Sequence, residues 1–138
     1  MPQITEARLE INRDVIKRNV FVEVFAKVTV APIWLESHVT FRLYAELFGQ
    51  DATGDDSIAV VERQGMIRDI VEPSGYVLAT GNYPLGGALN EDDSWFNRRD
   101  EVYARVSLSV GHEIADNFVN ISPGGFGYIR TNTVTGYF

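Results

Sequence analysis

The stretch "VFVEVFAKVTV", residues 20–30, constrains the fold more than any other, because Val20, Val22, Val24, Ala26, Val28 and Val30 fall on one side of a period-two repeat. Side chains of an extended chain alternate between two faces, so this repeat predicts a strand with one face in a core. Glu23, Lys27 and Thr29 take the other face together with Phe21 and Phe25, which predicts partial cover there too. "HVTFRLYAELF" repeats the pattern through Val39, Phe41, Leu43, Ala45 and Leu47, and "DEVYARVSLSV" does so through Val102, Ala104, Val106, Leu108 and Val110. Shorter strands are expected at "ITEARLEI", "SIAVV", "MIRDIV", "YVLAT", "NFVNI" and "YIRTNTVTGYF", each bounded by Gly, Pro, Asn or Asp. Helical spacing is open only to "TEARLEINRDVIKRN" and "SIAVVERQGMIRDIV", and Gly65 interrupts the second.

Long alternating strands, closely spaced turn signals and almost no amphipathic helix predict an all-β chain. The expected architecture is a single antiparallel β-sandwich, Ig-like or jelly-roll-like, of about seven to nine strands. The 138 residues are enough for one core and too few for two comfortable ones, so one domain is expected over residues 1–138. With 45% hydrophobic and 22% charged residues, the chain carries enough apolar surface to offset chain entropy.

Twelve basic residues against 19 acidic ones give a formal charge of −7, a field that opposes phosphate backbones, so nucleic acid is not an expected partner. No run reaches the roughly 18 apolar residues of a membrane helix, and a membrane is not an expected partner either. The opening "MPQITEARLEINRDV" has charges where a signal peptide needs an apolar run, so the chain is expected to be intracellular at synthesis or part of a virion. There is no cysteine, which removes disulfides, thiolate nucleophiles and cysteine-bound metals.

The most chemically suggestive segment is "GQDATGDDSIAVVE", residues 49–62. Counted from Asp51, its residues Thr53, Asp55, Asp56 and Glu62 fall at positions three, five, six and twelve, a spacing that resembles an EF-hand calcium loop. It departs from that motif where Thr53 replaces Asp or Asn, where Asp56 replaces the turn glycine, and where a strand rather than a helix precedes it. A polar hairpin is the competing expectation. Asp51, Thr53, Asp55, Asp56 and Glu62 therefore form the candidate metal set, with calcium the one candidate ion and otherwise no cofactor.

Catalytic signatures are sparse. His112 opens "HEIAD", but Asp116 stands where a zinc-hydrolase helix has its second histidine, and no GxSxG elbow occurs. A non-enzymatic chain is expected. The long region Thr80 to Asp100, "TGNYPLGGALNEDDSWFNRRD", is expected to be irregular, and loops of that length are often functional or docked in an interface. Tyr83, Trp95 and Phe96, with Tyr137 and Phe138 at the end of the chain, are the candidate interface residues. Trp34, Tyr83, Trp95, Phe96 and Tyr103 are candidate exposed aromatics that a sugar ring would stack on. The resulting expectation is an acidic, soluble structural or assembly subunit acting through protein contacts, foremost a homo-oligomer of the kind found in virions or filaments. Its rival is a calcium-assisted carbohydrate-binding module.

Overall fold

The computed structural model describes residues 3–29, 32, 39–50, 54–87, 89, 100–115, 117–120, 128–136 and 138. The valine repeat of residues 20–28 forms strand β2 (Asn19–Thr29), with Val20, Val22, Val24 and Ala26 fully buried. β1 (Gln3–Asp14) precedes it as the other arm of a hairpin, and β5 (Tyr76–Pro84) pairs with its far edge. These three make one antiparallel sheet in the order β1-β2-β5.

The second sheet is built around β6 (Asp100–Ile114), the longest strand, which pairs along its length with β3 (Thr40–Gly49). β4 (Asp56–Gly65) follows β3 as a hairpin and lies outside it. The other edge of β6 is covered in succession by β9 (Val134–Gly136) at residues 100–102, β8 (Tyr128–Arg130) at 105–107 and β7 (Asn117–Asn120) at 111–114. All of these pairings are antiparallel.

The two sheets pack face to face over one apolar cluster, so the chain is a β-sandwich, with three and six strands among the described residues. Leu9, Val22, Val24 and Val77 come from one sheet, and Phe41, Leu43, Leu47, Val106 and Leu108 from the other, each almost fully removed from water. At about 1.5–3 kcal/mol for a buried Val, Leu or Phe side chain, this shared layer is the main favourable term. No helix among the described residues is long and apolar enough to cross a membrane.

Three segments depart from the sequence expectation. The last of the chain, "YIRTNTVTGYF", is not one strand but two, β8 and β9, parted by residues 131–133. "MIRDIV" is not a strand: Ile67–Ile70 form a single helical turn, α1, whose two isoleucines lie three residues apart and are both buried. Three-residue spacing puts both on one side of a helix, whereas a strand would bury alternate residues. The irregular region expected from Thr80 begins later, because β5 runs on to Pro84. Leu89 beyond it is buried in the core, and residues 90–99 lie outside the described residues.

Side chains close the two seams between the sheets. On one side Asn132, in the turn between β8 and β9, accepts from the Leu9 backbone N–H at 2.9 Å and donates to the Leu9 carbonyl at 3.1 Å. Its neighbour Thr131 is anchored to β6: its N–H donates to the Ala104 carbonyl and its hydroxyl accepts from the Ala104 N–H, both at 2.9 Å. On the other side the Tyr83 hydroxyl donates to the Val60 carbonyl at 3.2 Å. Gly81 lets β5 approach β4 there, since a Cβ would sit 2.6 Å from Val61 and 2.8 Å from the Tyr83 ring.

Asn132→Ala leaves the N–H and C=O of a buried residue without their partner and is expected to destabilise the fold by about 2 kcal/mol. Urea unfolding checks it. Gly81→Ala is expected to cost about 1–3 kcal/mol by overpacking the opposite seam. An unchanged denaturation midpoint would contradict that close approach.

Candidate functional site

The acidic segment is the hairpin connection between β3 and β4, with Gly49 and Asp56 the first residues paired across it. Asp55 accepts a short hydrogen bond from the Tyr103 hydroxyl on β6, so one of its oxygens is already engaged. Glu62 lies six residues beyond Asp56 along β4, about 20 Å away at strand rise. It sits opposite Tyr44, with one oxygen 3.8 Å from the Arg42 Nε. A bidentate closing ligand cannot sit that far from the first carboxylates, so the described part of the candidate metal set does not make one coordination shell. Asp51 and Thr53 lie outside the described residues, and among those described no three His, Asp or Glu side chains are gathered as an ion would need.

The interface candidates are likewise dispersed. Tyr83 is half-buried in the seam, where burial raises its phenol above the ordinary tyrosine value. Phe138 is not at the surface: its ring lies in the core against Gly136, and its carbonyl accepts from the Gly86 N–H at 2.6 Å. A phenyl group gains more from burial in its own core than from exposure, which is why the chain folds back over it. Trp95, Phe96 and Tyr137 lie outside the described residues, as does Trp34. Tyr103, read from sequence as an exposed platform, is only 1% exposed.

Tyr103 belongs instead to an arginine and aromatic ladder on the outer face of the six-stranded sheet. Its ring stacks on Phe48 at 5.5 Å, and the Arg130 guanidinium covers it at 3.7 Å. Arg105 lies over both Phe48 and Tyr128, and Arg42 lies over Tyr44. The strand register sets this up, because it places Phe48 beside Tyr103 and Arg105 beside Arg130. Burial first, and then the hydrogen bond to Asp55, push the Tyr103 phenol above its ordinary value of 10.0, against the opposing pull of Arg105 and Arg130. Guanidinium groups lying on rings are held by the ring quadrupole and shield apolar surface, so the ladder is a cover for that face.

Among the described residues, Val60 on β4 and Tyr128 on β8 are exposed apart from the rest, and the other large exposed apolar side chains lie on two hairpins. At the β1–β2 turn Val15 is 61% exposed and Ile16 96%, with Phe21 beside them at 39%. Turn residues are usually polar, which makes two adjacent aliphatics at a turn unusual. The turn is nonetheless firmly built: Asp14 accepts from the N–H groups of Ile16 and Lys17, both at 3.1 Å. Arg18 has a φ of 54°, and its carbonyl accepts from Leu85 N–H at 2.9 Å, tying the turn to the end of β5. A shallow depression of about 630 Å³ opens beside it, lined in part by Phe21 and Asn82. At the β6–β7 hairpin Ile114 is 59% exposed and Val119 43%.

The hairpins occupy opposite ends of the sandwich. Arg18 touches Leu85, Gly86 bonds to Phe138, and β9 just before Phe138 pairs with the Asp100–Val102 end of β6. From Val102 to Ile114 the strand runs a further twelve residues, about 40 Å. The sequence held a signal for the first hairpin, Asp14 and Asn19 flanking "VIKR", but the same stretch also fits a helical spacing that hides the turn. Compared with known proteins, the chain matches no family model, no curated protein and no solved structure.

Because the folded Tyr103 phenol holds its proton more tightly than an unfolded tyrosine at about 10, its contribution to stability is complete below that pH. It is then lost as pH rises through the higher folded value. Tyr103→Phe is expected to flatten that part of the alkaline decline. Urea midpoints measured from neutral into strongly alkaline buffer check it, and an unaltered profile would contradict the assignment.

Proposed function

We propose that this chain is a non-enzymatic assembly subunit that acts through protein contacts, foremost with further copies of itself. The observation that carries the reading is the firmly built β1–β2 turn holding Val15 and Ile16 in water. A turn fixed by its own hydrogen bonds presents these groups without further ordering cost, which is the condition for an effective contact. Exposed aliphatics gathered in a patch mark interaction sites more often than single ones do.

The surrounding chemistry supports contact over catalysis. The carboxylate of Asp55 is engaged by Tyr103, the arginines of the ladder lie on aromatic rings, and His112 is exposed on β6 opposite Val119. The calcium and carbohydrate alternative draws no comparable support, since Asp55 and Glu62 lie far apart and Tyr83 and Tyr103 are committed to packing.

Light scattering coupled to size-exclusion chromatography tests the reading directly. A mass greater than one chain, rising with protein concentration, is expected. A stable monomer throughout the micromolar to submillimolar range would overturn it.

A further inference from the structure

The outer face of the three-stranded sheet carries one ring without cover among the described residues. Phe21 on β2 lies opposite Asn12 on β1 and opposite Asn82 on β5, so the three side chains form one row across the sheet. Farther along this face Arg8 lies over Phe25 and Lys27 over Tyr76, whereas Phe21 is 39% exposed with no cation above it among the described residues. The row lines the 630 Å³ depression beside the β1–β2 turn, together with Asn19, Ile16 and Lys17. That volume falls within the roughly 300–1,000 Å³ of small-molecule sites.

The polar groups beside the ring are neutral amides. Asn12 and Asn82 are exposed, Asn19 is half-buried, and the three side-chain amides have no hydrogen-bond partner among the described residues. Each offers an acceptor oxygen and two N–H donors, so together they suit hydroxyl groups, which both donate and accept. The charges nearby are close to balance. Arg8, Arg13, Lys17 and Arg18 stand against Glu10, Asp14 and Glu23, and Glu10 already pairs with Arg8 at 3.3 Å. Asp55, Asp56 and Glu101 add negative charge at the same end of the sandwich, on the other sheet. No positive field is left to select a phosphate or a carboxylate.

We infer that the Phe21 depression binds a neutral saccharide, without calcium. A pyranose has an apolar C–H face and a rim of hydroxyls; the face packs on the Phe21 ring while the rim exchanges hydrogen bonds with Asn12, Asn19 and Asn82. The row belongs to paired strands, so the backbone beneath the ligand is already in place and binding orders little of the protein beyond the amide side chains. An open site of this kind gives a Kd of roughly millimolar for a single sugar ring. The inference goes beyond the assembly reading and does not rest on it.

NMR titration of isotope-labelled protein with glucose, galactose, mannose and N-acetylglucosamine, in the presence of a calcium chelator, tests it. Adenosine monophosphate serves as the charged competitor. At least one sugar is expected to shift the side-chain amide signals of Asn12 and Asn82 and the ring signals of Phe21. Phe21→Ala is expected to weaken binding roughly tenfold and Asn82→Ala roughly fivefold, as loss of a stacking ring and of one hydrogen bond imply. Phe21→Trp is expected to keep it. Asn82 is exposed, so Asn82→Ala is expected to hold the circular dichroism and melting temperature of the parent, and it keeps the test open should Phe21→Ala fail to fold.

No shift with any of the four sugars at concentrations well above millimolar overturns the inference. Shifts confined to other residues, or indifferent to the Phe21 and Asn82 variants, overturn it too. Adenosine monophosphate binding at the same residues more tightly than every sugar overturns the neutral class of ligand. Binding is read at named residues whatever the oligomeric state, so its failure leaves the assembly reading standing. A monomer that binds sugar overturns the assembly reading alone.

Discussion

The backbone of β6 sets the terms for the rest of the structure. A central strand has donors and acceptors on both edges, and each must be paired once water is excluded. β3 satisfies one edge without interruption, while the other needs three separate short strands. This brings β7, β8 and β9 one after another onto a single strand and sets Thr131, Asn132 and Phe138 in the places where they act. The nine strands among the described residues thus divide three against six, and the smaller sheet lies over the core that β3 and β6 present.

Sheets that do not share a ladder need another way to close. Here an amide side chain imitates a strand on one side, and on the other a tyrosine hydroxyl reaches across a gap that only glycine keeps narrow. The outer faces follow a second rule. Each carries aromatic rings that the register would leave wet, and each covers some of them with arginine: Arg8 over Phe25 on one sheet, Arg42, Arg105 and Arg130 on the other. Against this background of covered rings, the bare aliphatics of the two end hairpins stand out.

Strand identity was legible from sequence wherever alternation was strict. Val20 to Val28, Phe41 to Leu47 and Val102 to Val110 lie as the period requires, because burial of one face is a local consequence of extended geometry. The α1 turn was not legible, since "MIRDIV" is too short for its period to separate helix from strand. The seams were invisible for a different reason: Asn132 and Leu9 are 123 residues apart, and nothing in either local sequence announces the other. Tyr103 was misread because its position on the solvent side of β6 gave no hint that Phe48 and Arg130 would enclose it. The acidic segment was correctly readable as a hairpin, yet the distance between Asp56 and Glu62 follows only once β4 is known to be extended.

The two seams also give the sandwich a direction in mechanical terms. Inside each sheet the ladder bonds lie across the strands, so a load along the strands strains many of them together. A load that pulls the sheets apart meets the side-chain ties one after another, beginning with Asn132 or Tyr83. The β1–β2 and β6–β7 hairpins belong to different sheets, so a pull between them passes from one sheet to the other through these ties and the shared core.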